Sequence, residues 1–315
     1  MKLLSFVIPC YRSQQTIEAV VEEIKRKMDT LKEYSWELVL VNDCSPDDTI
    51  SVIKGIAEKN SNVTVIDFAR NFGQHSALMA GLRQTKGDYV VCLDDDGQTP
   101  ADQVDRLLTA LDNGADVAYA KYDHKKHSAF RNFGSHVNEM MARFMLGKPK
   151  TLQVSSYFAA KRYIVNDMIR YENSYPYVIG LVLRSTNNIV NVDVDHRARE
   201  IGSSGYTLKK LLDLWMNGFT SFSVKPLRIA TVIGIIAAIA GFVYGIVIII
   251  QHFILPDRVQ GFASLAAILV FFGGMIMIML GLLGEYVGRI YISLNNSPQY
   301  VIKEIYKKER ENESD

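Results

Sequence analysis

Asp88-Tyr89-Val90-Val91-Cys92-Leu93-Asp94-Asp95-Asp96 is the stretch on which the fold turns: an apolar run that ends in three consecutive carboxylates. A run this short and this apolar fits a buried strand in a sheet covered on both faces, with the acids at its carboxyl end. The same pattern recurs around it. Leu3 to Ile8 and Trp36 to Val41 are strand-like, and between them Ile17, Val20, Val21, Ile24 and Met28 fall at helical spacings within Thr16 to Leu31. Further along, helices fit Thr49 to Glu58, His75 to Gln84 and Val104 to Leu111, while strands fit Val63 to Phe68 and Ala115 to Tyr119. Such alternation predicts an α/β fold, a mostly parallel sheet with flanking helices. Val178 to Thr186 reads as helix or buried strand, Asn188 to Val194 as strand, and His196 to Gly205 as loop.

Open parallel sheets bind ligands outside the carboxyl ends of their strands. Four polar groups distant in sequence meet that condition: Pro9-Cys10-Tyr11, Asn42-Asp43-Cys44-Ser45, Ala69-Arg70-Asn71 and the aspartate triplet. No Gly-x-Gly-x-x-Gly turn follows the first strand and no Walker A sequence occurs, which disfavours a dinucleotide site or a P-loop. If the chain turns after Leu93, Asp94 and Asp96 face one ion and Asp95 points elsewhere; Mg²⁺ or Mn²⁺ suits such an oxygen-ligand site. The competing role is an acidic loop that caps the next helix with Thr99 or Asp102. Asp43 can accept hydrogen bonds from a ribose or a base, whereas Ser45 to Asp48 form a turn in which Asp47 or Asp48 starts a helix. His75 follows a strand-end loop, which suggests a catalytic role, but it also stands at a helix entrance, where it is expected to fasten that loop by hydrogen bonding.

The C-terminal third has a different character. Between Arg228 and Asp257 no Asp, Glu, Lys or Arg occurs, and a second uncharged run lies between Arg258 and Glu285. Each is long enough for a hydrocarbon core of roughly 30 Å, and a helical hairpin is the form that satisfies the backbone there. The expected divisions are a domain at 1–205, an amphipathic interface helix at 206–228, spans at 229–251 and 261–284 joined by a loop at 252–260, and a tail at 285–315. Lys209, Lys210, Lys225 and Arg228 precede the hairpin, and Arg289, Lys303, Lys307, Lys308 and Arg310 follow it, so both termini are expected in the cytoplasm. Gly273, Gly274, Gly281 and Gly284 permit close helix contact, compatible with a homo-oligomer. The formal charge of +1 gives no reason to expect nucleic acid as a partner. Cys10, Cys44 and Cys92 lack metal-ligand or redox spacing.

The motifs Val7-Ile8-Pro9-Cys10-Tyr11, Val41-Asn42-Asp43-Cys44-Ser45, Ala69-Arg70-Asn71-Phe72-Gly73-Gln74-His75 and Leu93-Asp94-Asp95-Asp96-Gly97-Gln98-Thr99-Pro100 resemble, in order, those of family 2 glycosyltransferases with a GT-A fold. With Arg199-Glu200-Ile201-Gly202-Ser203-Ser204-Gly205-Tyr206 and the hairpin, the chain is similar to the polyprenyl-phosphate branch, which includes dolichol-phosphate mannose synthases. The resemblance implies nucleotide contacts from Pro9, Tyr11 and Asp43, metal or diphosphate contacts from Asp94, Asp96 and Gln98 beside Asp95, and a role for Arg199 and Ser204 at the donor phosphates or the site mouth. Two departures bear on base recognition: Tyr11-Arg12-Ser13 lacks the acidic residue of the family's Tyr-Asn-Glu segment, and Asn42-Asp43 stands where Asp-Asp is more common. In Val154-Ser155-Ser156-Tyr157 the Asp of many relatives is also absent.

From about Tyr122 to Arg143 the chain is basic and aromatic. Arg131, with Lys125, Lys126 and His127, could meet the phosphate of a lipid acceptor, or the run could simply be attracted to anionic phospholipid. The implied activity is inverting transfer of one sugar from a nucleotide sugar, UDP-glucose or another UDP-hexose, to undecaprenyl or another polyprenyl phosphate at the bacterial cytoplasmic membrane, for modification of a cell-envelope glycan. An anionic acceptor needs no base to remove a hydroxyl proton. Two rivals are a processive polysaccharide synthase, disfavoured by the absence of a Gln-x-x-Arg-Trp motif, and a nonenzymatic nucleotide-binding scaffold.

Overall fold

Strands β1 (Lys2–Cys10) and β2 (Tyr34–Asn42) run in parallel, with Phe6 opposite Leu38 and Val7 opposite Val39 in this computed structural model, which describes residues 1–122, 148–195, 225–254, 261–295 and 297–308. Because successive side chains of a strand point to opposite faces, Phe6, Ile8, Leu38 and Leu40 enter one core, and Val39 and Val41 enter another with Ile66 and Phe68. Both faces are therefore dry, which is why these strands are apolar at nearly every position.

Helix α1 (Ile17–Met28) buries the five residues that its periodicity picks out, Ile17, Val20, Val21, Ile24 and Met28, in the first core. Its last turn carries Lys25, Arg26 and Lys27, a favourable sign of charge at a helix C-terminus. On the second face lies α3 (Gln74–Gln84), which contributes Ala77 and Ala80 to the core. A Cβ at Gly81 would collide with the side chains of Val7 and Val41, so the bare glycine lets α3 lie close on β1 and β2.

The remaining elements of this unit are α2 (Thr49–Lys59), β3 (Val63–Phe68), β4 (Tyr89–Cys92), a single turn at Ala101–Gln103, α4 (Val104–Asp112), β5 (Val117–Tyr122), β6 (Phe158–Lys161), α5 (Arg162–Met168), α6 (Val178–Ser185), β7 (Ile189–Val194) and β8 (Ile302–Lys307). The eight strands form one sheet in the order β7-β5-β6-β4-β1-β2-β3-β8. From β1 the chain winds outward through β2 and β3 on one side, then returns to place β4 on the other side of β1. That reversal opens a crevice at the carboxyl ends of β1 and β4, the place where such sheets bind ligands.

The parallel arrangement holds in the centre of the sheet and between β5 and β7, while β6 and β8 run antiparallel to their neighbours, so the sheet is mixed. The 178–186 segment, open between helix and strand in the sequence, is helical. Strand β6 has no counterpart in the sequence reading, and β8 arises within the segment read as a tail. It pairs with β3, with Ile66 opposite Ile305, so the residues after the hairpin belong to the same folded unit as the N-terminal region.

A second unit, Leu212–Asn295, contains α7 (Lys225–Ile254) and α8 (Phe262–Leu294). Each includes a stretch long and apolar enough to cross a membrane, Leu227–Val247 and Phe271–Leu294, and neither stretch is buried by protein. Phe242 is 71% exposed and Ile278 is 75% exposed. Core helices of a soluble protein would hide these side chains; lipid is the solvent that suits them. Helix α8 runs ten residues past the expected end of the second span, carrying Glu285 and Arg289 within it. Residues 206–224 of the expected interface helix lie outside the described residues, and 225–228 already belong to α7.

Candidate active site

Where β1 ends, Pro9 is buried and the chain turns sharply, with Arg12 at φ 60°. The parallel turn after β2 places Cys44 at φ 51°. Two non-glycine residues in the left-handed region at adjacent strand ends carry local strain, which persists only where surrounding bonds hold it. Those bonds are present. The Arg12 amide donates to Ser45 Oγ at 2.7 Å and the Ser13 amide to Thr49 Oγ1 at 2.9 Å. Asp47 accepts from the Ser45 and Thr49 hydroxyls at 2.5 and 2.6 Å and from the Thr49 amide at 3.3 Å, so it is Asp47 that caps the start of α2.

Asp43, 4% exposed, holds a third loop. Its two carboxylate oxygens accept the amides of Phe72 and Gly73 at 2.7 and 2.8 Å, and its carbonyl accepts Asn71 Nδ2 at 3.1 Å. Burial raises its pKa, and the two amides oppose that shift. Gly73, at φ 89°, supplies the turn that presents its N–H to Asp43 and leads into α3. The neighbouring Asn42, in place of the more common aspartate, donates its amide to Asp67 Oδ1 at 2.7 Å. Asp67 is 6% exposed, and an aspartate at 42 could donate nothing to it when ionised.

The three carboxylates of the aspartate triplet make different contacts. Asp95 turns toward the first loop, accepting the Tyr11 amide at 3.1 Å and the Ser13 hydroxyl on one oxygen. Asp94 accepts Gln74 Nε2 at 2.9 Å on Oδ1 and the Ser156 hydroxyl on Oδ2. Asp96 accepts the Gln98 amide at 3.0 Å, and Thr99 Oγ1 closes the turn on the Asp94 carbonyl at 3.4 Å. Burial pushes the Asp94 carboxyl up to about 6; the Ser156 hydroxyl opposes the shift and the charges of Asp96 and Asp95 add to it. Asp95 is also raised by burial, against the bonds from Ser13 and Tyr11. The Tyr122 phenol is raised too, by burial first and then by the charges of Asp94 and Asp96.

Among the described residues no group of three His, Cys, Asp or Glu side chains is arranged to hold a metal by itself. Two carboxylates under mutual repulsion, one of them with a raised pKa, nevertheless suit a hard divalent ion whose other ligands are water and phosphate oxygens. The donor set consists of oxygens, which fits Mg²⁺ or Mn²⁺ and not a soft metal.

Pro9, Tyr11, Asp43, Asp94, Asp95, Asp96 and Gln98 thus occupy one edge of the sheet; Arg131, Arg199 and Ser204, with Lys125, Lys126 and His127, lie outside the described residues. Tyr11 is 45% exposed, with the Arg12 guanidinium over its ring at 5.6 Å. The sequence reading missed Gln74, Ser156, Ser13 and Tyr122. Ser156 is separated from Asp94 by sixty-two positions, and its one sequence signal was the departure from the family's aspartate. His75 meets the Tyr177 ring edge-on at 5.1 Å, its Nδ1 has no hydrogen-bond partner, and burial lowers its pKa to about 4. Packing, not a bond from Nδ1, keeps it in place.

Known proteins match along the whole chain. Residues 5–169 match the model of glycosyl transferase family 2, and residues 225–290 match that of the GtrB C-terminal hairpin. An undecaprenyl-phosphate 4-deoxy-4-formamido-L-arabinose transferase of Yersinia enterocolitica is 31% identical over 97% of this chain and 94% of its own length. An uncharacterised glycosyltransferase of Bacillus subtilis is 31% identical over 96% and 94%. Among solved structures, glucosyl-3-phosphoglycerate synthase of Mycobacterium tuberculosis, in complex with Mn²⁺ and UDP-glucose, aligns with a TM-score of 0.52 at 20% identity, covering 70% of this chain and 79% of that one. At that identity the likeness concerns the fold, a GT-A-like mixed sheet with flanking helices.

Proposed function

This chain belongs to glycosyl transferase family 2, and we propose that it transfers a single sugar from a nucleotide sugar to a polyprenyl phosphate at a bacterial membrane. One observation carries the reading. An acidic strand-end site and a two-helix apolar hairpin occur in one chain, and named undecaprenyl-phosphate sugar transferases match both parts together over nearly their full length. A soluble glycosyltransferase needs no hairpin, and an inert membrane scaffold needs no edge that gathers three carboxylates.

The contacts of the described residues support the chemistry proposed for them. Asp94 and Asp96 would hold Mg²⁺ or Mn²⁺, with Gln98 beside them. When bound there, the ion supplies Lewis-acid stabilisation to the departing nucleoside diphosphate. Gln74 and Ser156 fix the orientation of Asp94, so that its carboxylate needs no rearrangement on ligand binding. Asp95 ties the Tyr11 turn to the metal turn, and Asp43 ties the 71–73 loop to the nucleotide side. Arg131, Arg199 and Ser204 are assigned to the acceptor phosphate and the site mouth on the resemblance alone. An acceptor phosphate is already ionised at neutral pH, so positioning for in-line attack, with inversion at the anomeric carbon, takes the place of general-base catalysis.

Strand β8 supports an even number of membrane crossings: the segments before and after the helices belong to one folded unit, so α7 leaves and α8 returns. The lysines and arginines flanking the pair support a cytoplasmic location for that unit. UDP-glucose is the donor to try first, alongside other UDP-hexoses and a UDP-linked formamido-arabinose, because the named relatives carry that sugar in their names.

The deciding experiment offers the detergent-purified full chain separate nucleotide sugars and short polyprenyl phosphates, with Mg²⁺ or Mn²⁺, and identifies the lipid product by mass spectrometry. A polyprenyl-phosphate monosaccharide is expected. Formation of nonlipid glycosides alone, without need of a divalent ion, would overturn the assignment.

A further inference from the structure

Tyr300 lies in the segment that follows α8, far in sequence from every motif of the site, yet its contacts lead back to it. Its ring stacks on Phe68 at 5.2 Å and an interplanar angle of 9°, and Phe68 meets Phe72 edge-to-face at 5.7 Å and 85°. Phe68 is 1% exposed at the end of β3, so this aromatic row fills the second core directly beneath the 69–74 loop. The loop itself is mostly exposed and has few apolar anchors of its own. The C-terminal segment also grips it through the backbone, for the Ala69 amide donates to the Val301 carbonyl at 3.0 Å.

The segment is held firmly enough to transmit that grip. The Tyr300 hydroxyl accepts Arg83 Nη1 at 2.8 Å, and Arg83 Nη2 donates to the Ile169 and Tyr171 carbonyls at 3.3 and 3.1 Å. Gln299 donates to the Tyr171 and Asn173 carbonyls at 3.3 and 2.9 Å, and Ser174 Oγ donates to the Ser297 carbonyl at 2.6 Å. Lys303 approaches Asp67 at 3.5 Å, the carboxylate that Asn42 also binds.

We infer that Tyr300 is a positioning residue for the nucleotide-sugar site: through Phe68 and Phe72 it sets the loop whose Phe72 and Gly73 amides hold Asp43 and whose Gln74 holds Asp94. The inference rests on the functional reading above for the identity of the ligand. It makes the residues that follow the membrane hairpin part of donor binding, and Tyr300 acts through the loop without touching the ligand.

The test uses the detergent-solubilised full chain and titrates UDP in the presence of Mn²⁺, then measures KM for donor and acceptor separately. Tyr300→Leu keeps an apolar side chain but removes the stack and the hydroxyl that accepts Arg83; UDP affinity is expected to fall about three- to tenfold, the donor KM to rise in step, and the acceptor KM to stay within about twofold. Tyr300→Phe keeps the stack and should restore UDP affinity to within about twofold of the parent. Glu304→Gln on β8, which removes the ion pair with Lys54 of α2, should leave UDP affinity unchanged. If Tyr300→Leu folds poorly, Phe72→Leu interrupts the same row at its other end and should weaken UDP binding equally. Unchanged UDP affinity in the folded Tyr300→Leu chain, or in Phe72→Leu where the former does not fold, overturns the inference, as does an equal loss in Glu304→Gln. A parent chain that binds no UDP would instead sink the functional reading itself.

Discussion

The two ends of the same sheet treat acidic side chains in opposite ways. At the amino edge, Asp112 accepts Lys2 Nζ at 2.6 Å, the Tyr89 hydroxyl at 2.7 Å and the Tyr34 hydroxyl at 3.0 Å. Burial works against its charge, but the bonds from Lys2, Tyr89 and Tyr34 outweigh it and lower its pKa, while Lys2 is raised in return by its hydrogen bond to Asp112. At the carboxyl edge Asp94 and Asp95 are met by an amide side chain, hydroxyls and a backbone N–H, and burial moves their pKa values up against the pull of those bonds. Neutral donors orient a carboxylate without neutralising it. One edge is therefore balanced within the protein, and the other leaves its carboxylates without a cationic partner among the bonds that hold them, which is what the proposed divalent-ion site requires. Negative charge alone does not mark a site; what distinguishes a site is charge that the fold orients and leaves uncompensated.

Exchanging one carboxylate for an amide at each end tests that contrast most severely. Asp94→Asn should lower turnover about 10²- to 10³-fold with the thermal transition retained, since in the proposed mechanism it removes a ligand of the ion that would stabilise the leaving group. Full turnover in Asp94→Asn would break the comparison at its functional end.

Removal of the ion comes next. Chelation should abolish most transfer, and Mn²⁺ should raise the melting temperature more at pH 7.5 than at pH 5.5. The sign follows from Asp94: its carboxyl ionises only as pH rises through about 6, so below that value a proton competes with the ion. An equal shift at both pH values would remove Asp94 from the ion site.

A smaller effect is expected of Ser156→Ala, which leaves Asp94 in place but frees one of its oxygens. Loss of one hydrogen bond to a charged group, about 1.5 kcal/mol, corresponds to roughly a tenfold fall in kcat/KM. Rescue in Ser156→Thr, which keeps the hydroxyl, would separate orientation from packing.

The smallest change belongs to the amino edge. Asp112→Asn should cost about 1 kcal/mol of stability, because the cluster is partly exposed and water replaces what is lost. Its kcat and both KM values should stay within about twofold of the parent, and a large loss of turnover in a folded Asp112→Asn chain would show that the two edges are not independent.

Much of this edge could be read in advance. Strands β1 to β5 and helices α1 to α4 announce themselves because each is a local pattern: Ile17, Val20, Val21, Ile24 and Met28 fall on one helical face whatever lies above them. Asp94, Asp95 and Asp96 were legible for the same reason, as acids directly after an apolar strand. Strand β6 (Phe158–Lys161) is only four residues long, so nothing nearby distinguishes it from a loop. Strand β8 reads Ile302-Lys303-Glu304-Ile305-Tyr306-Lys307, a charged tail by composition, and it becomes a strand only because β3 offers an open edge with unpaired N–H and C=O groups. The pairing also draws Tyr300 onto Phe68.

What the sequence determined by itself was everything governed by neighbours along the chain: the order of the central elements, the acidic strand end, and two apolar stretches of bilayer length. Tertiary structure alone decided which donors reach those acids, that Asp94 is held by Gln74 and Ser156 while Asp95 turns to Tyr11 and Ser13, and that the residues after the hairpin close the sheet. The reason is physical. Periodicity and apolar content act over a few residues and leave a trace in composition, whereas a hydrogen bond between residues sixty positions apart depends on where two turns arrive in space, and no local pattern records that.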